Sequence, residues 1–332
     1  MWALAVVLVV ALAGAVGYVV HVHGRQAAAE SAQPKVATRE DAATVAAGPH
    51  LAFRNTAAGQ GYGRVALAPL TAPDGPRALT PASCDRVYAG KGQAICLAAD
   101  RGLTTTYKAQ LLGPDWSPKR TLPLTGLPSR ARLSRDGTIA ATTTFVYGDS
   151  YNSPGQFSTQ TLVTRTDGTE IGNIERFELV VDGRVVNAVD KNLWGVTFAD
   201  DDVFYATAAS GGKTWLVRGS LSARRVSALR ADAECPSLSP DRTRIAFKKH
   251  GDLPPGQWRL AVYDLGSGRE TLLAETRSVD DQVEWLDDGQ IVYGLPRGGT
   301  STATSDVWAA PADGAGAPRL LIHDAWSPAV VR

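Results

Sequence analysis

Apolar and polar positions alternate in short bursts along most of the chain, and the bursts return in phase. Pro236-Ser-Leu-Ser-Pro-Asp-Arg-Thr-Arg-Ile-Ala-Phe247 gives an apolar run, a Ser-Pro-Asp turn and a second apolar run. After a loop come Trp258-Arg-Leu-Ala-Val-Tyr-Asp-Leu265, a Gly-Ser-Gly turn and Glu270-Thr-Leu-Leu-Ala274. Short apolar stretches bounded by Gly, Pro, Asp and Ser predict four strands joined by tight turns. The unit returns at Val283-Glu-Trp-Leu-Asp-Asp-Gly-Gln-Ile-Val-Tyr293, at Ala131 to Ala140, at Val196 to Tyr205 and, more diverged, from Arg86. First-strand positions Tyr88, Leu133, Phe198, Leu238 and Trp285 are separated by 45, 65, 40 and 47 residues, so the long interval holds an insertion. Asp-Gly and Asp-Asp pairs mark the turns, where positive φ is needed and Asp can bond its own backbone.

The ends of the chain complete the pattern. Leu51-Ala-Phe53 matches the second strand Ile245-Ala-Phe247, and Arg64-Val-Ala-Leu67 and Arg77-Ala-Leu79 continue it, but no first strand precedes them. Ala325-Trp-Ser-Pro-Ala-Val-Val331 begins a further repeat and the chain stops, with Trp326 lying 41 residues after Trp285. These features predict an all-β fold over residues 49–332. It is a six-bladed β-propeller closed by pairing of the C-terminal strand with the N-terminal blade. Closure of that kind removes exposed sheet edges.

Trp2 to Val20 is a run of 19 residues without a charge. As a helix it is about long enough to cross a bilayer core of roughly 30 Å. Residues 1–22 are therefore expected to form one transmembrane helix, and the polar, Ala-rich residues 23–48 a flexible tether. The competing reading is a cleaved signal peptide, with Ala27-Ala28-Ala29 offering small residues for the cut. The run is longer than the usual apolar region of about 7–15 residues in signal peptides, which favours an anchor. The expected location is the cell membrane, single-pass, with the propeller on the extracytoplasmic side, or secretion if the segment is cut.

The Ser-Pro-Asp and Asp-Gly repeats resemble the WD-like propeller repeats of TolB-type proteins. Over roughly residues 50–332 the chain is similar to the membrane-anchored TolB-like proteins of actinobacteria. The resemblance implies the propeller fold and says little about activity. TolB proper carries a separate N-terminal α/β domain, which the tether here does not match, so a Tol–Pal partnership is not carried over.

Charge and composition narrow the chemistry. The 34 basic and 33 acidic residues balance, which argues against a nucleic-acid partner. Cys84 and Cys96 share a predicted hairpin and form the one pair a disulfide could join, if a bulge absorbs two or three residues of offset. Cys235 is expected to stay free and buried. Three cysteines without a Cys-x-x-Cys pair do not suggest zinc, and no cofactor is called for. There is no Gly-x-Ser-x-Gly elbow. His50, His250 and His323 are the only histidines near the repeats. Ser210-Gly-Gly-Lys213 lacks the length and following helix of a phosphate loop.

Asp200-Asp201-Asp202 and Asp287-Asp288 fall in hairpin turns. Asp280-Asp281-Gln282 instead lies in a connection that opens on the same face as the loops between second and third strands. Those loops, at 147–156, 248–257 and 296–305, should rim one channel mouth, the usual place for recognition on a rigid scaffold. The candidate ligand-binding residues are Tyr151, Asn152, Asp190, Lys191, Trp194, His250, Asp252, Asp280, Asp281, Gln282 and Arg297. The function expected is non-catalytic binding or scaffolding of a protein, peptide or glycan. The alternative is an enzyme, a lyase or hydrolase, using Asp280, Asp281 or His250 at the mouth.

Overall fold

The computed structural model describes residues 12–25, 37–39, 41–90, 92–102, 104–146, 158–298 and 304–332. The strands form six sheets arranged as blades, and in blades 2 to 6 the inner strand comes first among the four principal strands. Blade 2 runs Arg86–Gly90, Gln93–Arg101, Thr105–Leu112 and Pro118–Leu122. Blade 3 runs Leu127–Leu133, Ile139–Val146, Ser158–Arg165 and Glu170–Asn173. The principal strands of blade 4 are Asn192–Phe198, Val203–Ser210, Lys213–Ser220 and Arg225–Ala231. Blade 5 is Glu234–Leu238, Arg244–Lys249, Arg259–Asp264 and Glu270–Leu272, and blade 6 is Glu284–Trp285, Gln290–Pro296, Ser305–Pro311 and Arg319–Ile322.

Blade 1 closes the ring. The C-terminal strand Ala325–Val331 is its innermost member, antiparallel to His50–Asn55, with His50 opposite Val331 and Asn55 opposite Ala325. Arg64–Pro69 and Arg77–Ser83 complete the sheet outward. Buried Arg77 locks the junction: Nη1 donates to Asn55 Oδ1 at 2.7 Å and to the Asp324 carbonyl at 3.0 Å, and Nη2 donates to the His323 carbonyl at 2.7 Å. Burial lowers its pKa to about 10, against the pull of Asp324 and Asp74.

Apolar side chains collect between neighbouring blades rather than in one centre. Phe53 and Ala66 of blade 1 pack with Val307 and Leu321 of blade 6. Ile95 and Leu111 of blade 2 pack with Leu133 of blade 3, and Leu216 of blade 4 with Ile245 and Phe247 of blade 5. Each blade thus buries both faces. That is why the second strands read as near-continuous apolar runs such as Ile245-Ala-Phe247 rather than as strict alternation.

The turns work as their residues require. In blade 5, Ser239 Oγ donates to Asp241 Oδ1 at 2.5 Å and accepts from Arg244 N, while Asp241 accepts from Thr243 N at 3.0 Å. Ser134 and Asp136 repeat the arrangement in blade 3. The next position is left-handed in both, filled by Gly137 at φ 77° and Arg242 at φ 62°.

The long interval in the repeat is an extension of blade 4. After a 3-10 turn at Ile174–Arg176, Glu178–Val181 adds in parallel to Arg225–Ala231, and Arg184–Val186 pairs back on it, giving six strands. Glu175 fastens this insertion to blade 3, both its carboxylate oxygens lying 3.0 Å from Thr161 N. Withdrawal of that carboxylate from water raises its pKa to about 8, although the amide of Thr161 pulls the other way.

The Cys84–Cys96 disulfide is present, with Cα atoms 5.4 Å apart, and Cys235 is free and buried. The expected bulge is missing. Arg86–Gly90 pairs with Gln93–Arg101 without a shift, Val87 facing Cys96. The bridge is made because Cys84 lies ahead of the strand, in the connection from blade 1. Both sulfurs sit in the core between blades 1 and 2.

Residues 12–25 are helical, and among the described residues no helix is long and apolar enough to cross a membrane. Residues 1–11, half of the predicted span, lie outside the described residues. The chain docks on the propeller before residue 49. Thr38–Arg39 pairs in parallel with Arg77 and Ala78, and the helix Ala42–Ala46, capped by Asp41, buries Val45 against blade 1.

Candidate functional site

Irregularities in the inner strands create the site. Pairing shifts at Ser129 in blade 3, at Gly195-Val196 in blade 4, at Cys235-Pro236 in blade 5 and at Ser327-Pro328 in blade 1. Gly195, Cys235 and Ser327 are left-handed there, at φ 66°, 50° and 55°. A bulge re-aims the side chains beside it. Arg130, Trp194, Glu234, Cys235 and Trp326, each in or next to one of these shifts, all line the same cavity. The cavity occupies one mouth of the channel and holds about 1020 Å³. The second-to-third-strand loops of blades 4 and 5 wall it through Ser210, Lys213, His250 and Trp258, and the blade 5–6 connection through Ser278 and Asp280.

Charged and aromatic side chains interlock on its floor. Arg86 pairs with Asp281 at 2.8 Å and lies 4.8 Å from the Trp326 ring centre. Lys248 contacts Asp280, lies 3.6 Å from Glu234 and sits 3.9 Å from the Trp258 ring centre. Glu234 also accepts from Trp258 Nε1 at 3.3 Å and faces His250 Nε2 at 3.1 Å. Burial alone would raise the Asp280 pKa, but Lys248, Arg130 and Arg86 outweigh it and hold it below the usual carboxylate value. Lys248 is likewise held above its ordinary value, burial being outweighed by Cys235, Asp280 and Glu234. The floor is therefore an array of paired charges under aromatic walls, suited to positioning a ligand.

Four of the residues singled out from sequence, Asp190, Trp194, His250 and Asp280, meet in this cavity. Asp190 serves as a pin: it accepts from Ser210 Oγ and Gly211 N, both at 2.7 Å. Asp85, Asp232 and Asp281 do the same for their own blades, through Ala99 N, His250 N and Gly294 N. Asp281 is buried, so its role is to hold Arg86 and the blade 6 backbone. Gln282 donates to the carbonyls of Val196 and Pro236, Lys191 to that of Phe177, and Arg297 pairs with Asp306 and Asp324. Asp252 is exposed beside the cavity without lining it. Tyr151 and Asn152 lie outside the described residues.

Sequence reasoning missed Arg86, Arg130, Lys248, Glu234, Trp258 and Trp326. One signal was available: a charged residue inside a strand whose neighbours are apolar must find a partner or water.

No family model matches the chain, and no curated protein matches it in sequence. Solved structures do match in shape. TolB from Acinetobacter baumannii superposes with a TM-score of 0.57 at 15% identity, over 86% of this chain and 66% of that one. A putative TolB from Agrobacterium tumefaciens gives 0.52 at 10% identity, over 84% and 91%. A chain of a nidogen–laminin complex gives 0.53 at 14% identity, over 85% and 98%. The chain thus spans just under two thirds of the Acinetobacter protein and shares with the two TolB structures the six-bladed propeller fold.

Proposed function

We propose that the protein is a non-catalytic binding module, held at the outer side of the cell membrane by its N-terminal apolar segment, that takes a protein, peptide or glycan at the channel mouth. The supporting observation is the cavity of about 1020 Å³, open at one mouth and walled by Trp194, Trp258 and Trp326 over paired charges. A chain of similar fold occurs in a complex of nidogen with laminin, which supports a macromolecular partner for this scaffold. The enzyme reading, which called on Asp280, Asp281 or His250, has less support: Asp281 is buried on Arg86, Asp280 is paired with Lys248, and His250 faces Glu234. Titration of the full chain with a peptide and glycan panel tests the reading. Saturable binding without turnover is expected; turnover of a panel member would favour the enzyme instead.

A further inference from the structure

This inference rests on the mouth being a ligand seat and names the group the seat takes. Three cations reach the floor from three blades. The side chains of Arg86, Arg130 and Lys248 are only 15%, 11% and 4% exposed. A cation withdrawn from water needs carboxylates and hydrogen-bond acceptors in exchange. Arg86 has them: Asp281 lies 2.8 Å away and is itself 2% exposed. Lys248 is flanked by Glu234 and Asp280.

Arg130 is served less directly: its guanidinium bonds the Cys235 side chain, and no carboxylate lies as close to it as Asp281 does to Arg86. Its Nη1 donates to the neighbouring Ser129 carbonyl at 2.9 Å. Its ion pair with Asp280 spans 3.8 Å, beyond hydrogen-bond distance. Its Nε is buried with no hydrogen-bond partner among the described residues.

The three carboxylates on the floor also differ. Asp281 is buried, and Glu234 is taken up by Lys248, His250 and Trp258. Asp280 alone faces the water of the cavity, 60% exposed, on a connection outside the strand ladders. It occupies the position that a second carboxylate would occupy, and it is the partner that can leave.

We propose that the seat binds its ligand through a carboxylate group, which takes the place of Asp280 between Lys248 and Arg130. Exchanging one carboxylate for another leaves the buried charge balance unchanged. The planar guanidinium fork supplies the directional recognition that an ammonium alone lacks. Asp280 then acts as an internal competitor that sets the affinity.

The test titrates the full chain with N-acetyl-glutamate α-methylamide, which carries one carboxylate, and with its uncharged counterpart N-acetyl-glutamine α-methylamide, read by tryptophan fluorescence, because Trp258 packs on Lys248. The acid should bind and the amide should not. Asp280→Asn should tighten the acid about tenfold, roughly 1.4 kcal/mol. Arg130→Gln in that background should remove the gain, and Arg130→Lys, which keeps the charge without the fork, should restore part of it. Equal response to acid and amide, no gain in Asp280→Asn, or a gain that survives loss of Arg130 would overturn the proposal. A panel ligand that binds all these variants alike would leave the binding module standing and remove only the carboxylate seat.

Discussion

Single residues in this protein often matter through the backbone they hold. Asp190 and Asp281 looked from sequence like ligand contacts; Asp190 lines the cavity and Asp281 is buried beneath it, and they serve as acceptors for the Gly211 and Gly294 amides. The sequence pattern could group these loops because strand order alone decides which of them share a face. It could not separate pin from ligand contact, since that depends on which carboxylate turns inward. Arg86, Arg130 and Lys248 were illegible for a related reason: bulges shift the inner strands and change which side chains reach the channel. Glu175 gives a pH test at this scale. The unfolded carboxyl ionises near its ordinary 4.5, whereas the folded one keeps its proton up to about 8. Between those values folding takes up a proton, so stability should fall as pH rises through that window. Melting temperatures from pH 5 to 8.5 should drop more steeply for the wild type than for Glu175→Gln. Parallel profiles would show that Glu175 titrates alike in both states.

At the scale of elements, the four-strand repeat and its turns were readable because their chemistry is local. Ser134-x-Asp136 and Ser239-x-Asp241 bond in the same way in separate blades. The blade 4 extension was readable only as an interval that was too long, because Glu178–Val181 joins its sheet by parallel pairing across sequence, which leaves no periodic mark. The closing strand Ala325–Val331 was readable from phase alone. Its removal deletes the ladder with His50–Asn55, the buried side chain of Trp326 and the carbonyl of Asp324 that Arg77 uses is left on a free end. Each large buried side chain contributes about 1.5–3 kcal/mol, against a net stability of about 5–15 kcal/mol. A chain ending at Asp324 should melt far lower or be insoluble. An unchanged melting temperature would mean that the strand is not needed to close the ring.

The whole molecule is a ring of blades whose apolar clusters lie between neighbours and whose charges converge on the channel. That division gives a rigid frame with one structured mouth. The hairpin turns, including the one that exposes Asp136 and Thr138, lie on the other face. The central claim is that the ligand seats at the mouth lined by Trp258, Lys248 and Asp280. Isothermal titration of a ligand from the panel against the wild type, Trp258→Ala and Thr138→Ala tests it most directly, with thermal melts confirming that each variant is folded. The expected result is affinity lowered by about tenfold or more in Trp258→Ala, a loss of at least roughly 1.4 kcal/mol, and unchanged affinity in Thr138→Ala. Full affinity in Trp258→Ala together with a loss in Thr138→Ala would place the ligand on the opposite face and contradict the claim.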